Sequence, residues 1–205
     1  KNAKILSMVN SKNSSLARDS LISIGLNCGP EIGVAATKSF TSQMAILYKI
    51  ADKLCDCCLA IDFKTVSDAY AKILSDTSKI KELVKNIKNI QNLFVIGRGI
   101  HYPIAKEGAL KIKEITYIHA EGIAAGELKH GPLALMNESV WVIAINPTDE
   151  YFEMNLNSIY EIKARGANII GISDEPNDLY DEFVRIPKLS QPLLYPIIEA
   201  IPFQM

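Results

Sequence analysis

No stretch of this 205-residue sequence stays apolar for long enough to cross a bilayer. Its opening, KNAKILSMVN, lacks the basic, apolar and small-residue succession of a secretory signal. An excess of one charge is missing too: 22 lysines and arginines face 23 acids, a net of −1. That balance leaves no electrostatic footprint for nucleic acid or an anionic membrane, so neither is expected as a partner. There is no Walker loop, no G-x-S-x-G elbow and no completed G-x-G-x-x-G. Cysteines are few: Cys28, and a Cys55-Asp56-Cys57-Cys58 cluster. No second set of ligands stands at matching spacing, so no metal is expected. The thiols read as reduced, partly buried side chains of a cytoplasmic protein.

What the chain does contain is an ordinary globular composition, 48% apolar and 22% charged, in an alternating order. Apolar runs bounded by polar residues predict buried parallel strands at Lys4–Asn10, Leu21–Gly25, Leu93–Ile96, Trp141–Asn146, Asn168–Ser173 and Phe183–Ile186. Between them the 3.6-residue period predicts helices. One runs from Thr37 to Leu54, with Phe40, Met44, Leu47, Tyr48, Ala51 and Leu54 as its apolar stripe. A helical stretch from Phe63 to Asn89 breaks at Ser75-Asp76-Thr77-Ser78, and further helices follow at about Pro103–Tyr117, Phe152–Arg165 and from Pro192 onward. The alternation predicts an α/β fold with doubly wound parallel sheets and helices on both faces.

Strand, polar stretch, short strand, loop and helix describe both Ile5–Leu54 and Ile169–Met205. The expected organisation is therefore the end of a first unit (1–55), a helical connector (56–91) and most of a second unit (92–205). On this reading the chain is a piece of a longer protein.

The densest chemistry lies in Glu107–Leu135, EGALKIKEITYIHAEGIAAGELKHGPLAL, expected as a helix running into a loop. At 100° per residue, Glu107, Lys111, Glu114 and Ile118 share a strip bordering an apolar face of Ile104, Gly108, Ile112 and Ile115. Lys106 and Lys113 point the other way. Two readings fit that strip. One is a surface ion-pair ladder, stabilising by only about 0.2–0.5 kcal/mol per pair. The other is a glutamate poised as general base, with burial raising its pKa and the neighbouring lysine lowering it. His130, before Gly131-Pro132, belongs to a turn and can take and give a proton near neutral pH. His119 falls at the helix end. Gly97-Arg98-Gly99, with His101 just beyond, sits between a strand and a helix, where α/β proteins bind anions.

Three segments carry a resemblance: Glu31 through Thr41 (EIGVAATKSFT), Gly97-Arg98-Gly99, and Glu107 through Leu135. They resemble the isomerase half of the glucosamine-6-phosphate synthases, the glutamine–fructose-6-phosphate amidotransferases, a half built from two sugar-isomerase (SIS) domains. The resemblance implies a homodimer that turns fructose 6-phosphate into glucosamine 6-phosphate. The ammonia comes from glutamine through a separate glutaminase domain, and no cofactor is involved. Glu114 then matches the glutamate that moves a proton between C1 and C2, and Lys111 the lysine that assists at the sugar hydroxyls. His130 matches the ring-opening histidine, which serves the partner subunit's site. Val34 and its neighbours Ala36 and Glu31 match the sugar-contacting loop, with Ala36 where many members have serine. The family's phosphate loop, its imine-forming lysine tail and the glutaminase domain fall outside this sequence, so the fragment alone is expected to be inactive. A non-catalytic SIS sugar-phosphate module and a related SIS deglycase are the competing readings.

Overall fold

The computed structural model describes residues 3–205. The chain divides into two compact units, Lys1–Asp62 and Phe63–Met205.

In the first unit, β1 (Leu6–Val9) and β2 (Ile22–Gly25) pair in parallel, Leu6 opposite Ile22 and Val9 opposite Gly25. Between them lies one helical turn, α1 (Ser15–Arg18), capped by the Ser14 hydroxyl, which accepts from the Ala17 N–H at 3.2 Å. The long helix α2 (Lys38–Leu54) starts without a side-chain cap from its own first residues. Glu31 supplies one from six residues upstream. Its carboxylate accepts from the Thr37 N–H at 2.6 Å, the Thr37 hydroxyl at 3.2 Å and the Ser39 N–H at 3.3 Å, and also from the Ser39 hydroxyl. These donors, led by the Ser39 hydroxyl and the Thr37 amide, hold the carboxyl down at about 2.

Two expectations for this unit are corrected. The α2 stripe is only partly covered, for Leu47 and Leu54 are 51% and 83% exposed. The cysteine cluster is not a set of reduced thiols. Cys55 and Cys58 form a disulfide, while Cys28 and Cys57 are free. Their Cα atoms stand 5.4 Å apart because the chain turns through left-handed Asp56 and Cys57 where α2 ends, which places two cysteines three residues apart within bonding reach.

The second unit begins with α3 (Phe63–Ser75) and α4 (Ser78–Ile87), broken where the polar run predicted. The Asp76 carboxylate accepts from the Ser78 N–H at 2.9 Å. Both helices pack on this unit: the Tyr70 hydroxyl donates to the Ile197 carbonyl at 3.0 Å, and Lys79 pairs with Glu182 at 2.7 Å. Five parallel strands follow: β3 (Asn92–Gly97), β4 (His119–Ala124), β5 (Trp141–Ile145), β6 (Asn168–Ser173) and β7 (Glu182–Arg185). Their order across the sheet is β4-β3-β5-β6-β7. Helix α5 (Tyr102–Thr116) joins β3 to β4, and α6 (Phe152–Lys163) joins β5 to β6. The short helices α7 (Tyr195–Glu199) and α8 (Ile201–Gln204) end the chain. The neighbouring parallel pairs β1-β2 and β6-β7 match the repeated element order of the sequence.

Strand β4 falls where a loop was expected. Its sequence, HAEGIA, has one β-branched residue, and as an edge strand it pairs on one side only, so the usual composition signal is missing. Glycine there has a steric reason. A Cβ on Gly122 would stand 2.5 Å from the Lys106 Cα, so its absence lets α5 lie directly against the strand.

Successive strand residues face opposite ways. Phe94, Ile96, Val142, Ala144 and Ile169 face a core shared with Leu128, Met136, Ile159 and Ile162, which is the α6 side. Leu93, Ile143, Ile170 and Val184 face the side of α4, α5 and α8. Crossovers that leave β3 in one direction and return past it in the other put α5 and α6 on opposite faces.

The order also creates a switch point where ligands commonly bind, at the carboxyl ends of β3 and β5. Here that crevice is filled. His101, in the 3-10 turn Gly99–His101 after β3, lies with Nε2 2.7 Å from Asp149 Oδ2 and Nδ1 2.7 Å from Glu199 Oε1. All three side chains are at most 2% exposed. Tyr151 closes the top, its ring edge-on to the imidazole at 6.1 Å. Burial alone would lower the His101 pKa, but Glu199 and Asp149 together raise it above the ordinary histidine value. Burial raises that of Glu199 against the pull of His101.

Two predictions follow from these side chains. Both His101 and Glu199 have raised folded values, so their contribution is fully present below their ordinary values of 6.5 and 4.5 and is lost as pH rises through the folded ones. The thermal midpoint should therefore fall as pH rises above the ordinary histidine value of 6.5, and His101→Gln should flatten that dependence in melts on the alkaline side. Glu31, with its depressed value, stabilises above 4.5 and loses the effect as pH falls toward 2. Glu31→Gln should cost about 0.5–2 kcal/mol in urea unfolding, with faster amide exchange at Thr37 and Ser39.

Candidate active site

Helix α5 has the sequence of a strong helix: Pro103 in its first turn, then alanine, leucine, lysine and glutamate at most positions. Tyr117, left-handed at φ 62°, ends it by donating its N–H to the Lys113 carbonyl. The buried side is Ile104, Ala105, Gly108, Ala109 and Lys111. Gly108 makes room for the Phe203 ring, which a Cβ would meet at 2.6 Å. Two parts of the predicted wheel differ. Ile115 is 61% exposed and takes no place in the buried face. Ile118 lies beyond the last helical residue, Thr116. Lys106 and Lys113 are exposed, as the wheel has them.

Lys111 is where the two readings of the strip separate. Its side chain is 5% exposed, and its ammonium lies 2.7 Å from Glu114 Oε2 and 3.4 Å from Glu107 Oε1. The two carboxylates are 29% and 18% exposed, so they open outward while the lysine does not. A ladder on an open surface would leave all three solvated. Burial disfavours the ammonium, yet Glu114 and Glu107 outweigh it and raise its pKa. Lys111 is thus a fixed proton donor rather than a base. Glu114 keeps one oxygen on the lysine, and its other oxygen is available to a substrate.

His130 ends the 3-10 helix Ala125–His130, is exposed, and precedes Gly131 at φ 147°. Among the described residues no hydrogen bond or ion pair joins it to Lys111, Glu107 or Glu114. Its helix packs through Leu128 into the α6-side core, whereas Lys111 belongs to the α5 side. The residue that anchors this short helix, Leu128, thus packs on the opposite face of the sheet from Lys111. His119 begins β4 and contacts Asn92, with Nδ1 3.2 Å from Oδ1.

In the first unit, Val34 is 88% exposed and Ala36 is exposed, in the loop that Glu31 fastens to the start of α2. Sequence reasoning took Glu31 as a sugar contact, and its carboxylate is spent on Thr37 and Ser39. It also missed the His101 cluster. The signal was a lone glutamate in an apolar run, LLYPIIEAIPF, since an acid there needs a buried partner. Among the described residues no His/Cys/Asp/Glu group has the arrangement of a metal site.

Known proteins resemble the chain in sequence and in fold. The SIS domain family matches residues 1–51 and 86–205. The chain is 42% identical over 220 residues to a glutamine–fructose-6-phosphate aminotransferase (isomerizing) of Thermococcus kodakarensis, covering 99% of the chain and 36% of that protein. A protein of the same description from Methanothermobacter thermautotrophicus is 41% identical over 207 residues, 99% of the chain and 35% of its own length. The chain thus spans about a third of these relatives. A solved C-terminal domain of glucosamine-fructose-6-phosphate aminotransferase from Francisella tularensis superposes with a TM-score of 0.89 at 32% identity, covering 97% of the chain and 60% of that domain. By its sequence and by its five-stranded parallel sheet, the chain belongs to the SIS domain family.

Proposed function

We propose that this chain is the isomerase part of a glutamine–fructose-6-phosphate aminotransferase. It would convert the ketose phosphate and ammonia released from glutamine into glucosamine 6-phosphate, at the entry to hexosamine and UDP-N-acetylglucosamine synthesis. The observation that carries the reading is the buried ammonium of Lys111 between two half-exposed carboxylates. A ketose-to-aldose shift needs one base able to reach two adjacent carbons, and a carboxylate on a rigid helix supplies it. Glu114 takes the proton from one carbon and returns it to the next. Lys111, held protonated, donates to the sugar oxygen on which negative charge develops in the enediol-type intermediate. Glu107 shares the lysine and keeps it from collapsing wholly onto Glu114. A non-catalytic SIS module would have no need of this arrangement.

His130 opens the sugar ring in this reading, and it acts on the partner subunit of a homodimer. The packing of the His130-bearing helix, through Leu128, on the opposite face of the sheet from Lys111 supports that assignment. The exposed loop of Val34 and Ala36 contacts the sugar, with Glu31 as its anchor. Ammonia comes from a glutaminase domain of the longer protein, and the reaction runs in the cytoplasm without cofactor or metal.

Two measurements on the full-length protein test this. Glu114→Gln keeps the acceptor for Lys111 but removes the base, so kcat should drop about 10²–10⁴-fold while sugar-phosphate affinity is kept. Survival of isomerisation would end the role given to Glu114. A 1:1 mixture of Glu114→Gln and His130→Asn chains, refolded together, should regain about a quarter of wild-type activity, since half the dimers carry one intact shared site. No recovery in verified heterodimers would put His130 outside the partner's site.

A further inference from the structure

The switch-point crevice is closed by His101, Asp149 and Glu199, but a polar cavity of ≈ 260 Å³ opens beside it. It lies on the α6 side, between the end of β3, the 3-10 helix Ala125–His130 and α6. Arg98, the first residue after β3, lines it and is half-buried. Its guanidinium lies flat over Gly126: a Cβ built on that glycine would stand 3.8 Å from Cζ, Nη1 and Nη2 alike. Stacked this way, the N–H donors project in the guanidinium plane, away from the glycine. Among the described residues none of them meets an acceptor or a carboxylate. Such a half-buried, unpaired fork on the wall of a cavity is a ready ligand for an oxyanion.

The other walls fit the same chemistry. Lys129 brings a second cation, held at 2.8 Å by Glu161, which is the single acid among the lining residues. That pair is neutral as a whole, so Arg98 leaves the cavity with a net positive charge. Asn157 offers an exposed amide donor, while the buried Ser158 hydroxyl is already committed to the Ala125 carbonyl at 3.2 Å. The volume falls below the roughly 300–1,000 Å³ of drug-sized ligand pockets, which suits a small phosphorylated metabolite rather than a nucleotide.

We infer that this cavity binds the phosphate monoester of a small metabolite, with the Arg98 guanidinium as its bidentate ligand and Lys129 as the second cation. The site lies on the opposite face of the sheet from Lys111 and Glu114, and the inference does not depend on their catalytic role.

The test is a titration of the ¹⁵N-labelled 205-residue protein with inorganic phosphate and, separately, methyl phosphate, followed at the Gly126 and Lys129 amides. Saturable shifts with both probes are expected. Arg98→Ala should weaken both by about tenfold or more, and Arg98→Lys, which keeps the charge but loses the fork, should fall between. Glu161→Gln frees Lys129 and should tighten both. Thermal melts confirm folding of each variant, and Arg98→Lys carries the comparison if Arg98→Ala does not fold. Absence of saturable shifts, or unchanged binding in the arginine variants, overturns the site. Binding of inorganic phosphate without methyl phosphate overturns the monoester assignment.

Discussion

The clearance between α5 and the sheet is the constraint on which the rest of the second unit depends. Gly122 brings the backbone of Lys106 against β4, and Gly108 admits the Phe203 ring from α8. With helix and sheet in contact, the side chain of Lys111 is almost wholly buried and is satisfied by two carboxylates of its own helix. Glycine at these two places is what turns an i, i+3 and i, i+4 charge pattern from a solvated ladder into a buried ammonium with two carboxylates. Burial holds Lys111 in place, and the two partly exposed carboxylates are oriented by their ion pairs with it. A catalytic base gains from this rigidity, since small misplacements of a proton acceptor reduce rate steeply.

The sheet itself performs a second task by dividing the acid–base groups between its faces. The Lys111 cluster looks out from one side, and the helix that presents His130 packs on the other. A reaction that needs both is then a property of an assembly rather than of a chain. At the carboxyl ends of β3 and β5, where such folds usually receive a ligand, the His101 cluster takes the space and ties two strand ends to α7.

Much of this was legible in the residues, for reasons that differ by element. LFVI, WVIAI and NIIGIS are short apolar runs rich in β-branched residues, buried on both faces, and they read as parallel strands without ambiguity. HAEGIA did not, because an edge strand under a close helix needs small residues where strands usually show large ones. Helix phase placed Lys111 at the core margin but could not show how far it sinks, since that depends on how closely α5 approaches β4 at Gly122 and α8 at Gly108. Glu31 reads as a ligand contact by position. Only the backbone of Thr37 and Ser39, folded back six to eight residues on, reveals it as a cap. The Cys55–Cys58 bond was not read from the sequence, which suggested reduced thiols, because it depends on the left-handed turn at Asp56 and Cys57.

The charges around Lys111 do not cancel. Within the cluster itself, two carboxylates and one ammonium leave an excess of one negative charge, which the exposed Lys113 offsets only through solvent. A doubly charged phosphate brought near it would be repelled, the more so where water is excluded. On the reading proposed above, a sugar phosphate would meet this face with its uncharged, carbonyl-bearing end first and its phosphate turned away, so the cluster would sort the two ends of the substrate before any proton moves.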